Sequence, residues 1–274
     1  MSVPLLTEGM RARIENCSQA FHTRWLELLR DQPGNPSGVE IRRFSDEVVA
    51  TSATKCPDVQ WLQHVSRLSP ADAALVPKVA AWYHAKMLRP RFEIAPCSDF
   101  EPLSAALVDV GARHTGFIDV LWSRATPPDD NDRASAVTVR VIEPDGQDAQ
   151  QFARVLLGGY EVPDDTFTAH WAAVALWPAE PEWSCYLAEV DGESLGAAAL
   201  IVTDGIGYLA NAATLPAGRQ QGCQQALIHR RMRDAVAAGC ELFLTMAIPG
   251  LVSHRNLERA GLGVAYTKAV WTVT

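Results

Sequence analysis

The residues whose types and spacing best suit chemistry lie in the run Leu215-Pro216-Ala217-Gly218-Arg219-Gln220-Gln221-Gly222-Cys223-Gln224-Gln225-Ala226-Leu227. It follows an uncharged, strand-like stretch, Tyr208 to Leu215, and Pro216 cannot extend a sheet ladder. It leads into a helical pattern in which Ile228, Met232, Ala235, Val236 and Gly239 share one face. A helix that starts here presents free first-turn N–H groups and the positive end of its dipole. An anion laid against Gln221, Gly222, Cys223 and Gln224 would be held by main chain alone, and Gly222 allows close approach. The chemistry implied is phosphate binding. His229, Arg230, Arg231 and Arg233 are expected to look outward or sideways from the helix, mostly into solvent, with a further phosphate as a second use for the arginines.

The elements that must position this turn belong to a chain of 274 residues with a formal charge of -8 and 48% hydrophobic residues, which suits two modest globular domains. The scattered acidic excess and the lack of a basic arm argue against a nucleic acid partner. No apolar run is long enough to span a bilayer, and Met1-Ser2-Val3-Pro4 carries no basic leader, so the expected compartment is the cytosol. Cys17, Cys56, Cys97, Cys185, Cys223 and Cys240 are widely spread without a C-x-x-C pair, and the histidines are equally dispersed. Reduced buried thiols and no metal are expected.

In chain order, Leu6 to Arg30 reads as an amphipathic helix, with Met10, Ile14, Cys17, Phe21, Trp25 and Leu28 on one face. Val39 to Phe44 and Glu47 to Thr54 read as strands, and Pro70 to Met87 as a helix. Arg91 to Pro96 is a strand, Phe100 to Val110 a helix, then comes Gly111 and the strand Phe117 to Trp122. About 150 residues later the series recurs: strand Glu241 to Ile248, helix Ser253 to Ala260, Gly261, strand Val264 to Val273. This suggests an internal repeat. Between the copies, Ala125 to Ser135 has linker composition. After it come the strand Ala136 to Ile142, the helix Gln147 to Leu157, the loop Gly158 to Asp165, the helix Phe167 to Leu176, and a hairpin, Trp183 to Glu189 and Glu193 to Val202, turned by Asp191-Gly192.

Arg219-Gln220-Gln221-Gly222-Cys223-Gln224 resembles the pyrophosphate loop of the GCN5-related N-acetyltransferases, which reads Arg or Gln, two residues, Gly, one residue, then Gly or Ala. It fits at the first and fourth positions, and Gln224 departs at the sixth. The downstream order of strand, helix, Gly-Leu turn and final strand is similar to that family's C-terminal half. The resemblance implies an α/β fold of two such lobes, each a mixed, mostly antiparallel sheet flanked by helices, with the acyl-coenzyme A site in the C-terminal lobe. The implied division is 1–124, a degenerate N-terminal lobe, 125–135, a linker, and 136–274, the catalytic domain. At the matching place in the first lobe stands Arg67-Leu68-Ser69-Pro70-Ala71-Asp72, with no glycine, a proline that lacks a donor, and a carboxylate that repels phosphate.

What the resemblance implies for function is transfer of an acetyl group from acetyl-coenzyme A to a primary amine by direct attack. The co-substrate's pantetheine would pair with Ala213, Thr214 and Leu215, and its diphosphate would lie over Arg219, Gln220, Gln221, Gly222, Cys223 and Gln224. Ser253 and Asn256 are expected as further cofactor contacts, with helix capping as the plainer role of Ser253. Cys223 is expected to face the diphosphate and is not a nucleophile. Several family members carry a Tyr four residues before the Gly of the last helix, where this chain has Leu257. The acid role therefore stays open among water, Asn256 and Tyr266. Glu161, Asp164, Asp165 and His170 are the candidate bases. Trp171, Trp177 and Trp183 fall in the region expected to wall the acceptor pocket, with core packing as the plainer account. The acceptor would be a small amine-bearing molecule, and a homodimer is one option for assembly. The alternative function is a non-catalytic acyl-coenzyme A binding or sensing protein; a scaffold that has lost its ligand is a third.

Overall fold

Apolar spacing and turn residues decide the elements of the computed structural model, which describes residues 6–128, 136–144, 146–162 and 170–273. In chain order these are α1 (Glu8–Arg30), β1 (Val39–Arg43), β2 (Val49–Ala53), β3 (His64–Ser66), α2 (Val76–His84), β4 (Arg91–Ile94), α3 (Glu101–Asp109) and β5 (Ala112–Arg124). There follow β6 (Val137–Val141), α4 (Gln147–Gly159), β7 (Trp183–Val190), β8 (Glu193–Thr203), β9 (Ile206–Tyr208) and β10 (Ala212–Thr214). The last are α5 (Cys223–Ala237), β11 (Leu242–Ala247), α6 (Val252–Arg259) and β12 (Gly263–Val273). The hairpin at Asp191-Gly192 forms as expected: both residues have positive φ, 51° and 80°, as a two-residue turn with the right twist requires. Among the described residues no helix is long and apolar enough to cross a membrane, and no cluster of side chains could hold a metal ion.

The chain forms two compact units. One holds Gln19–Val120 with the C-terminal segment from Tyr266, the other the described residues up to Ser18 with Leu121–Ala265. In the first unit β1, β2 and β3 pair antiparallel in sequence, β3 pairs β4 in parallel, and β12 pairs β4 antiparallel from Ala269↔Ile94 to Thr272↔Arg91. In the second unit β6, β7, β8 and β9 pair antiparallel and β9 pairs β11 in parallel. Each half therefore runs antiparallel strands, a helix, a parallel strand, then a helix ending at a left-handed glycine: Gly111 (φ 78°) and Gly261 (φ 94°). That shared order gives the repeat read from the sequence its physical form.

Three readings need correction. The stretch Pro70 to Met87 opens as a 3-10 helix, Pro70–Leu75, before α2 begins. The last helix starts at Val252 with Leu251 as its N-cap, so Ser253 is inside it and does not cap it. The strand expected over Tyr208 to Leu215 is broken into β9 and β10, a break that builds the site described below.

Tyr83, Phe92, Leu103 and Leu107 are among the buried residues of the first unit's core, and Tyr83 donates its hydroxyl proton to the Thr51 carbonyl across 2.5 Å. A polar cluster is also enclosed in this unit. The His22 and His64 rings meet edge to face at 4.4 Å, His64 Nε2 lies 3.4 Å from Glu93 Oε2, and Lys268 is buried. Burial, with the neighbouring charges of His64, Lys268 and Arg91, pushes His22 well below the ordinary imidazole range, against the pull of Glu93. Burial also works against Glu93, yet His64, Lys268 and Arg91 hold its carboxyl well below the carboxylate range. As pH falls through about 6.5, the unfolded chain takes up a proton at His22 that the native state refuses, so stability drops with a slope of up to ~1.4 kcal/mol per pH unit. Glu93 adds a loss of the same sign below about pH 4.3. Urea unfolding at pH 7.5, 6.0 and 5.0 is expected to show this slope in the wild type and a flatter one in His22→Gln; identical slopes would remove His22 as its source.

Candidate functional site

After β10 the chain makes a 3-10 turn, Pro216–Gly218, in which a Cβ on Gly218 would lie 2.6 Å from that of Leu195. Gln220 (φ 66°) and Gly222 (φ 90°) then reverse the backbone, and Gly222 becomes the N-cap of α5. Among the described residues, no side chain caps this helix. Among the described residues, the N–H groups of Gly222, Cys223, Gln224 and Gln225 have no backbone carbonyl partner. Gln221, Gln224 and Gln225 are engaged elsewhere. Gln221 donates to the Ala217 carbonyl at 2.6 Å, Gln224 accepts from Asn256 Nδ2 at 2.5 Å, and Gln225 lies 2.8 Å from the His229 ring. The residue that departs from the loop pattern, Gln224, thus turns its side chain sideways to α6. Arg219 is half exposed and donates to Glu161 at 2.8 Å.

Beside the loop, the sheet opens. β9 pairs β11 only over Ile206–Tyr208 with Leu242–Leu244. At Ala210 and Asn211 (φ 22°) the strand bulges, and both their carbonyls face the Ala199 N–H, at 3.3 and 3.0 Å. Beyond the bulge, among the described residues, β10 pairs β8 alone, from Ala212↔Ala198 to Thr214↔Gly196. Leu215 N–H bonds the Leu195 carbonyl, so alternation turns the N–H and C=O groups of Ala212 and Thr214 to the edge away from β8. The bulge separates what the sequence reads as one strand, because it changes no residue type that periodicity can register.

Two side chains meet at this bulge that sequence reasoning passed over. The end of α4 approaches β10 so closely that a Cβ on Gly159 would lie 2.7 Å from that of Ala213 and 2.9 Å from the Thr214 nitrogen. The next residue, Tyr160, accepts the Ala212 N–H at its hydroxyl, 3.1 Å away. From α5, Arg231 reaches into the interior and donates Nη1 to the Ala199 and Ala210 carbonyls, each at 3.1 Å, and Nε to Leu227. It is 1% exposed, which corrects the outward orientation expected for it. Burial pulls its pKa down to about 10, opposed by the Tyr186 and Tyr160 hydroxyls. Arg230 is not free in solvent either, being bound to Asp234 and to the Val139 carbonyl. The doublet Gly158-Gly159 at the end of an amphipathic helix was the one available signal of close backbone approach.

The other candidates divide. Thr214 and Arg219 to Gln224 lie along the open edge and the loop, joined to Asn256 through Gln224 and to Glu161 through Arg219, whereas Ala213 and Leu215 turn their polar backbone groups to β8, which corrects their expected pairing with a pantetheine. Asn256 also accepts from Arg259, and Ser253 lies half-buried on the same helix. The Cys223 side chain packs in the core with Leu227 and Ile228, and burial raises its thiol pKa against a hydrogen bond from the residue's own backbone; the thiol does not face an anion, which corrects the expected facing of the residue. Leu257 is buried in that core. His170 is completely buried. Tyr266, also buried, opens the segment that belongs to the first unit. Trp177 and Trp183 are buried against each other, ring centroids 5.3 Å apart, with Phe152 6.1 Å from Trp177, so they pack the core; Trp171 donates to the Gln150 carbonyl. Asp164, Asp165 and most of the linker lie outside the described residues.

Residues 129–247 match the family described as acetyltransferase (GNAT) domain. This part of the chain is a GNAT domain. Among solved structures, the chain is similar to a GCN5-related N-acetyltransferase from Kribbella flavida, at 18% identity and a TM-score of 0.66 over 97% of this chain and 96% of that one. It is similar to a GCN5-related N-acetyltransferase from Sphaerobacter thermophilus, at 18% identity and a TM-score of 0.63 over 90% of this chain and 84% of that one. A tandem GNAT protein from the clavulanic acid biosynthesis pathway aligns at 12% identity and a TM-score of 0.59 over 93% and 94%. At such identities these likenesses show the fold: two GNAT-like lobes of mixed sheet and flanking helices. No curated protein matches the sequence. The general chemistry of the GNAT family is acetyl transfer from acyl-coenzyme A.

Proposed function

We propose that this protein is an N-acetyltransferase whose C-terminal GNAT domain, 136–274, moves the acetyl group of acetyl-coenzyme A to a small primary amine by direct attack. The carrying observation is the uncapped first turn of α5 next to the open edge of β10. The first supplies main-chain donors and a dipole for the diphosphate. The second supplies the edge of Ala212 and Thr214 for the pantetheine amides, in the manner of an added strand. Asn256 meets the arm once Gln224 releases it, and Ser253 lies on the same helix. Arg219 exchanges Glu161 for phosphate, so Glu161 acts as its resting counterion and as a base only after that exchange.

The N-terminal lobe, 1–124, has no such loop in this proposal. At the corresponding turn the Asp72 carboxylate already accepts from the Ser69 N–H at 3.1 Å and hydroxyl at 2.6 Å, which puts a negative charge where a phosphate would go. Leu257, where a phenol acid stands in several family members, favours a second reading: an acyl-coenzyme A binding protein without turnover. Calorimetry with acetyl-coenzyme A, followed by thiol release on an amine panel, tests both. Binding with release supports the transferase, binding without release supports the second reading, and no binding overturns the site.

A further inference from the structure

The Tyr160 hydroxyl stands on the first outward N–H past the bulge, that of Ala212, 3.1 Å from its nitrogen. A phenol that accepts one hydrogen bond still has its own proton to give. Tyr160 is 48% exposed, and desolvation raises the pKa of its hydroxyl despite the Ala212 N–H and the charge of Arg231. It therefore keeps its proton at neutral pH. The Gly158-Gly159 doublet brings the phenol here, because any side chain on Gly159 would strike Ala213 and the Thr214 nitrogen.

We propose that Tyr160 is a catalytic residue of acetyl transfer, its O–H and the Ala212 N–H together holding the thioester oxygen. The inference rests on the acyl-coenzyme A site proposed above. In the reaction the amine lone pair forms the C–N bond while the carbonyl π pair moves onto oxygen, where the two donors stabilise it. The pair returns, the C–S bond breaks, and sulfur leaves with the bonding electrons as coenzyme A thiolate. The proton shed by the new amide nitrogen reaches that thiolate through water, and Tyr160 ends with the proton it began with. Before substrate arrives, the phenol occupies the N–H that the thioester oxygen will take, so it moves aside by about one oxygen diameter.

The test compares wild type with Tyr160→Phe. Calorimetry is expected to give acetyl-coenzyme A affinities within about threefold, since the variant also loses the competitor for the Ala212 N–H. Thiol release, on the amine panel or with water as acceptor, is expected to fall about 100-fold, the usual effect of one oxyanion donor. The infrared stretch of 13C-thioester-labelled acetyl-coenzyme A bound to each protein gives a readout independent of turnover. It is expected at lower frequency in wild type than in Tyr160→Phe. Equal frequencies with binding intact overturn the role of Tyr160 alone. Absence of binding to the wild type overturns the site and the inference with it.

Discussion

Gly222→Glu is expected to abolish acetyl-coenzyme A binding, with a loss of at least 100-fold, or about 2.7 kcal/mol. Two effects combine. Gly222 holds φ 90°, where an L side chain costs roughly 1–2 kcal/mol. The new carboxylate would also cap the free N–H groups of α5 itself, as Asp72 does at the other turn. Gly222→Ala separates them, since it carries the strain without the charge and is expected to lose only about tenfold. Calorimetry reads the affinity, and a thermal melt checks that each variant folds, with strain alone lowering Tm by about 2–8 °C. Wild-type affinity in Gly222→Glu would mean that the diphosphate does not lie on this turn.

The loop was legible in the sequence because its requirements are local: a proline to end a strand, a glycine to reverse the backbone, an apolar stripe to commit the helix. The Asp191-Gly192 hairpin and the Gly111 and Gly261 stops were readable for the same reason. The bulge at Ala210-Asn211 was not, since it depends on which partner strand runs out first, a property of β11 and β8 together. Short β3 escaped notice because three residues carry no period, and its pairing with β4 comes from a segment about 25 residues away. Arg231 was misread for a related reason. An arginine on a mostly polar helix reads as solvated, and only the carbonyls of Ala199 and, at the bulge, Ala210 give this one a reason to be buried. Tyr160 likewise gains meaning from an N–H that a regular strand would have used.

Arg231→Met is expected to cut acetyl transfer about 100-fold while changing stability little for so large a buried side chain. The native state holds the guanidinium at a pKa of about 10 against an ordinary 12.5. At ~1.4 kcal/mol per pKa unit, burying the charge costs about 3 kcal/mol at neutral pH. Methionine removes that cost but leaves the Ala199 and Ala210 carbonyls without this donor, at about 1–3 kcal/mol each. The balance is a net destabilisation of at most about 3 kcal/mol, or a fall in Tm of roughly 10 °C or less. Arg231 fixes the bulge that turns the Ala212 N–H outward, and its charge acts on the Tyr160 hydroxyl. In the proposed reaction both effects bear on a thioester oxygen gaining negative charge, and neither bears strongly on the diphosphate. Turnover should therefore fall much further than acetyl-coenzyme A affinity. Arg231→Lys keeps a charge without the planar fork that spans two carbonyls and is expected to recover only part of the rate. A Met variant with wild-type turnover and a Tm lowered by more than 15 °C would make Arg231 a purely structural group.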